Sequence, residues 1–126
     1  MNLLHNNTLG IDIGSTTVKI AVLDSEQHIL FTDYERHYAN IQETLALLLS
    51  KAKEKLGEMT VSPSITGSGG LTLSGHLNVP FTQEVVAVAT ALQDYAPQTD
   101  VAIELGGEDA KIIYFTGGID QRMNGI

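Results

Sequence analysis

No cysteine occurs anywhere in the 126 residues, so neither a disulfide nor a thiolate metal site can come from this chain alone. Tryptophan is absent too, and aromatic residues make up only 6% of the sequence. A core therefore has to be built from the Val, Ile, Leu and Ala that dominate the 43% of hydrophobic residues. Basic residues are few: 7 Lys and Arg stand against 15 Asp and Glu, for a formal charge of −8. That balance argues against a nucleic-acid binder, which needs a basic face to neutralise phosphates. It leaves nucleotide binding open, because backbone N–H groups and a metal carry the phosphates there. No apolar run approaches the roughly 20 residues of a membrane span. The opening Met-Asn-Leu-Leu-His-Asn-Asn-Thr has no basic start and no long apolar stretch, unlike a secretory signal. No membrane association and a cytoplasmic address are the resulting expectations. The four histidines, His5, His28, His37 and His76, lack ligand-like spacing and read as surface or structural residues.

What is present is a pattern of short strands. Leu9–Ile13, Val18–Leu23 and His28–Tyr34 are apolar segments separated by polar turns, which predicts an antiparallel meander. From Ile41 to Leu56 the period changes. Ile41, Leu45, Leu48, Leu49, Ala52 and Leu56 recur at three- and four-residue steps, and Gly57 suits a C-cap, so this is a helix. Ser64–Thr66 reads as a short strand and Leu71–Leu77 as a short helix. Thr82–Tyr95 reads as another helix, with Thr82 as its N-cap and Pro97 just beyond it. After Pro97 the meander returns as Val101–Leu105, Ala110–Phe115 and Ile119–Met123, with turns at Gly106-Gly107 and Gly117-Gly118. The chain thus holds two copies of one opening module, about ninety residues apart, and only the first is followed by helices. The expected organisation is a first lobe over 1–97 and the start of a second similar lobe over 98–126.

The chemistry-bearing residues sit at the turns of these modules. In Asp12-Ile13-Gly14-Ser15-Thr16-Thr17, Gly14 permits a tight turn, and Ser15, Thr16 and Thr17 offer N–H and hydroxyl donors to an anion. Asp12 ends the strand, where it can hold a hydrated magnesium, and Lys19 adds positive charge. Glu104-Leu105-Gly106-Gly107-Glu108-Asp109-Ala110-Lys111 repeats the device: an acid, two glycines, then a lysine in the next strand. Each segment taken alone also reads as an ordinary hairpin turn. As a pair they suggest phosphate binding by two acid-tipped turns, since phosphoryl transfer depends on positioning and charge neutralisation. Neither is a Walker A loop. Thr66-Gly67-Ser68-Gly69-Gly70 follows a strand and precedes a helix, so it is either an anion-binding corner or a flexible connection. Glu84 either favours its helix dipole or serves as a relay acid.

Gly10-Ile11-Asp12-Ile13-Gly14-Ser15-Thr16-Thr17-Val18-Lys19 resembles the first phosphate motif of the actin/Hsp70/sugar-kinase superfamily. Ile65–Gly70, Gln83–Ala87 and Ile103–Lys111 resemble a narrower branch, the BadF/BadG/BcrA/BcrD-type ATPases that include activators of 2-hydroxyacyl-CoA dehydratases. The resemblance implies an α/β, ribonuclease-H-like (actin-like ATPase) domain with a mixed sheet, plus the opening three-stranded meander of a second lobe. It implies ATP and Mg²⁺ as cofactors, with Asp12 and Glu104 as the catalytic acids. Gly14 to Thr17, Lys19, Gly67, Gly106, Gly107 and Lys111 would be the phosphate-binding residues. It also implies a homodimer carrying a [4Fe–4S] cluster. Electrons would come from a donor such as ferredoxin or flavodoxin and pass to a dehydratase or reductase. Glu104 stands where many relatives have Asp. The family's cluster cysteines follow the Met-Asn-Gly that here is Met123-Asn124-Gly125, so an N-terminal fragment, inactive alone, is the expectation. A sugar- or acid-kinase, or a non-catalytic actin-like assembly module, is the alternative.

Overall fold

A computed structural model describes residues 6–106, 110–116 and 120–125. The chain order is β1 (Asn7–Ile13), β2 (Thr17–Leu23), β3 (Ile29–Arg36), α1 (Ile41–Leu56), β4 (Val61–Thr66), α2 (Gly70–Leu77), α3 (Glu84–Tyr95), β5 (Val101–Leu105), β6 (Ala110–Thr116) and β7 (Asp120–Gly125). The chain divides into two compact units, Met1–Phe81 and Thr82–Ile126.

The first unit is built on a four-stranded sheet of order β3-β2-β1-β4. β1 pairs antiparallel with β2, β2 antiparallel with β3, and β1 parallel with β4, so the sheet is mixed. Alternation decides its faces. Leu9, Ile11 and Ile13 of β1, and Val18, Ile20 and Val22 of β2, are all buried on one face. α1 covers that face with Leu45, Leu48 and Ala52, and Ile65 of β4 and Leu73 of α2 complete the core. Each large aliphatic side chain removed from water contributes about 1.5–3 kcal/mol before entropy is counted. α1 has Glu43 in its first turn and Lys53 and Lys55 in its last, matching the helix dipole. It stops at Gly57, whose φ of 79° the missing Cβ allows. β4 is longer than its sequence suggests because it takes in Pro63. Proline is tolerated there because β4 lies at the edge, where its outer side meets only an isolated bridge from Ile65 to Phe81.

The second unit joins α3 to a three-stranded antiparallel sheet of order β5-β6-β7. Ala89 of α3 and Ile113 of β6 are buried in it among the described residues. The sequence places a lobe boundary between residues 97 and 98, whereas the units divide between Phe81 and Thr82. α3 groups with the second sheet: Glu84 reaches Lys111 of β6, and Leu92, Ala96 and Phe115 line one small pocket. α3 begins at Glu84 with Gln83 as its N-cap and no capping side-chain bond, so Thr82 is not the cap its sequence suggests.

The two copies of the module align register for register. Ile11↔Ile20, Asp12↔Lys19 and Ile13↔Val18 recur as Ile103↔Ile112, Glu104↔Lys111 and Leu105↔Ala110. Their environments differ. Ile11 and Ile13 are buried in the first core, but their counterparts Ile103 and Leu105 are 64% and 78% exposed. The Gly117-Gly118 turn lies outside the described residues.

Candidate functional site

Adjacent strands and two turns meet at the C-terminal end of β1. The Gly14 N–H donates to the Thr17 carbonyl at 2.8 Å, closing a tight hairpin with Ser15 and Thr16 at its tip. Asp12 lies one register position before the turn, flanked by Lys19 of β2 and Thr66 of β4. Strand alternation puts Asp12 and Lys19 on the face opposite the aliphatic core. The Thr66 Oγ1 is buried and has no hydrogen-bond partner among the described residues.

The glycine turn after β4 packs directly on this corner. Gly67 has φ +102°, and a Cβ added there would stand 2.5 Å from the Asp12 Oδ1 and collide with the Ile13 carbonyl. The Gly69 N–H donates to the Ile13 carbonyl at 2.8 Å, and the Gly70 N–H to that of Gly67 at 3.1 Å. Sequence leaves this segment open between a shaped corner and a flexible connection; in the structure it is pinned to the hairpin. Asp12, Gly14, Ser15, Thr16, Thr17, Lys19 and Gly67 therefore share one end of the first sheet.

A missed participant is His37, just after β3. It is buried, its Nε2 lies 3.0 Å from the Gly14 carbonyl, and its backbone N–H donates to the Thr16 carbonyl at 3.0 Å. A lone histidine in Glu-Arg-His-Tyr carries no motif. Only the register Thr17↔Arg36 would have placed it beside the turn.

The remaining expected residues belong to the second unit. Glu104 and Lys111 face each other across β5 and β6, and the Glu104 Oε1 is buried. The Lys111 Nζ lies 3.9 Å from the Glu84 Oε1, so Glu84 contributes an ion pair as well as a favourable charge at its helix start. Gly106 is exposed at the end of β5, and Gly107 lies outside the described residues.

Ion pairs lie elsewhere on the first unit. Lys51 of α1 reaches Asp33 at 2.7 Å and Glu35 at 3.2 Å on β3. The hydrogen bond from Lys51, with one from the Tyr34 N–H, holds the Asp33 carboxyl below the usual carboxylate range. The same contacts raise the Lys51 ammonium, Asp33 foremost. In the β2–β3 turn the His28 N–H and then the Glu26 N–H hold the Asp24 carboxyl low.

Among the described residues no group of three or more His, Cys, Asp or Glu is placed to hold a metal by itself. Magnesium does not require one, because it keeps several waters and takes one or two carboxylates plus substrate phosphates. Asp12 could supply that carboxylate, since Gly67 places no Cβ against its Oδ1. A [4Fe–4S] cluster does not fit, because the chain supplies no thiolate. No helix among the described residues is long and apolar enough to cross a membrane.

No protein-family model and no curated protein matches the sequence. Solved structures do. The activator of the 2-hydroxyisocaproyl-CoA dehydratase from Clostridium difficile, with bound ADPNP, superposes with a TM-score of 0.74 at 23% identity, over 94% of this chain and 45% of that one. Component A of the (R)-2-hydroxyglutaryl-CoA dehydratase of Acidaminococcus fermentans gives 0.72 at 23%, over 94% and 47%. The ethanolamine utilization protein EutJ of Carboxydothermus hydrogenoformans gives 0.70 at 12%, over 94% and 51%. The chain has the mixed-sheet α/β fold of these proteins, the actin-like ATPase fold, as its motifs suggest. It spans about half the length of each.

Proposed function

We propose that this chain carries the phosphate grip of an ATP-binding, ATP-hydrolysing activator. In the whole protein, hydrolysis would be coupled to low-potential electron transfer to a 2-hydroxyacyl-CoA dehydratase or a related CoA-substrate reductase. The observation that carries the reading is the convergence of Asp12, the Gly14–Thr17 turn and Gly67 at one end of β1. It is supported by the fold shared with two dehydratase activators, one of them solved with an ATP analogue.

In this reading the turn's N–H groups and hydroxyls bind phosphate oxygens, and Lys19 adds positive charge. Asp12 holds a hydrated Mg²⁺, which neutralises phosphate charge when bound. Gly67 keeps the space beside Asp12 open. The second unit repeats the device with Glu104, Gly106, Gly107 and Lys111, and is taken as the opening of a second lobe. The whole protein would act as a homodimer, with a ferredoxin- or flavodoxin-type donor and a dehydratase or reductase partner. Any iron–sulfur cluster would need ligands from outside these 126 residues, and no step here depends on one.

Calorimetric titration of the chain with ADPNP, with Mg²⁺ or with EDTA, tests the grip. Magnesium-dependent binding is expected, with slow or absent ATP turnover by these residues alone. No binding in either condition removes the reading, and sustained turnover removes the claim that more of the protein is needed.

A further inference from the structure

The β3–α1 connection closes against the hairpin turn through one side chain. His37 Nε2 lies 3.0 Å from the Gly14 carbonyl oxygen, and the Ala39 N–H donates to its Nδ1 at 3.0 Å. A carbonyl only accepts, so Nε2 carries the ring proton; Nδ1 accepts, so it carries none. The geometry thus fixes a neutral ring in its Nε2–H tautomer. The backbone is bent to bring this about. Tyr38 and Ala39 have φ of 46° and 68°, in the left-handed region that residues with a Cβ rarely use. The Asn40 N–H closes the bend on the His37 carbonyl at 2.6 Å.

The effect on the turn follows from peptide geometry. In a trans peptide the C=O and the next N–H point in opposite directions, and the described chain has no cis bond. His37 draws two carbonyls toward itself, Gly14 through its ring and Thr16 through its backbone N–H. The Ser15 and Thr17 N–H groups are therefore turned away from it.

We propose that His37 is a positioning residue for phosphate binding: it locks the Gly14–Thr17 turn with the Ser15 and Thr17 N–H groups presented together to a nucleotide phosphate. This rests on the nucleotide reading above. An imidazole suits the task because it donates and accepts at once, joining the strained connection to the turn.

The test uses the whole chain, MgADPNP calorimetry and the ¹⁵N spectrum of the His37 ring. The wild type shows the Nε2–H tautomer. In His37→Asn the amide oxygen can still accept from Ala39, but the side chain no longer reaches Gly14. MgADPNP binding then weakens by about tenfold or more, as the part-buried Gly14 carbonyl loses its partner. In His37→Gln the terminal NH₂ reaches where Nε2 stood, and affinity stays within about threefold of wild type. A folded His37→Asn that binds as tightly as wild type overturns the proposal. So does an Nδ1–H tautomer, or a folded His37→Gln as weak as His37→Asn. If His37→Asn does not fold, the tautomer and His37→Gln still decide. A wild type that binds no MgADPNP overturns the nucleotide reading and this inference with it; unaffected variants remove His37 alone.

Discussion

Gly67 stands so close to Asp12 that a Cβ on it would lie 2.5 Å from the carboxylate Oδ1. Two penalties then coincide in Gly67→Ala: a φ of +102° that a side chain strains, and a collision with the Asp12 carboxylate and the Ile13 carbonyl. The variant is expected to lose about 2–4 kcal/mol of stability, together with MgADPNP affinity. Gly75 is the control. A Cβ there meets nothing within 4 Å and the residue lies inside α2, so Gly75→Ala should gain about 0.5–1 kcal/mol. Denaturant titration of both variants checks the contrast, and equal effects would show that the Gly67 contact is not built as described.

Leu48 anchors α1 to the first sheet. It is fully buried, whereas its neighbour Leu47 is 49% exposed. Leu48→Ala should cost about 3 kcal/mol, as a large aliphatic side chain leaves a cavity between helix and strands. Leu47→Ala should change stability by no more than about 0.5 kcal/mol. A cost at Leu47 approaching that at Leu48 would mean that α1 presents a different face to the sheet.

Legibility from sequence followed the strength of local signals. α1 is observed over Ile41–Leu56, as expected, because six aliphatic positions and a glycine stop all mark the same element. The two modules were legible because both end a strand with an acid before a glycine turn, and their registers agree. What was not legible is tertiary. α3 shows the same apolar face whichever sheet it joins, so its grouping with the second unit could not be read from its own residues. Gly67-Ser68-Gly69-Gly70 looks flexible as a string, and only its contacts with Asp12 and Ile13 show it to be held. His37 acts through the register of β3 on β2, which a lone residue cannot announce.

Asp12→Asn separates charge from shape. The amide keeps the volume beside Gly67 but cannot offer a full anionic ligand to hydrated magnesium. ADPNP binding by the wild type should fall sharply when EDTA replaces Mg²⁺, whereas the variant should bind weakly and equally in both conditions. In the whole protein the substitution should lower ATPase activity by orders of magnitude, on the order of hundredfold or more. Circular dichroism should be unchanged, because Asp12 lies off the aliphatic core face. A variant that keeps magnesium-dependent affinity would exclude Asp12 as the metal-organising acid.

Lys51 ties α1 to β3 through Asp33 and Glu35, and its contribution has a definite pH window. The Asp33 carboxyl is lowered on folding, chiefly by its bond from Lys51. Its share of stability is therefore present above the ordinary carboxylate value, about 3.9, and is lost as pH falls through the lower folded value. The Lys51 ammonium is raised, so its share is present below the ordinary lysine value, about 10.4, and is lost as pH rises through the higher folded value. The tie is complete between these limits and fades outside both. Lys51→Met should lower Tm at neutral pH, where it takes from Asp33 and Glu35 the cation they share. The gap to wild type should narrow at strongly acid and strongly alkaline pH, and shrink at 1 M salt because the pair is partly exposed. Thermal melts of both proteins across that range check this. A Tm difference that stays constant with pH would assign the effect of Lys51 to the packing of its aliphatic stem instead.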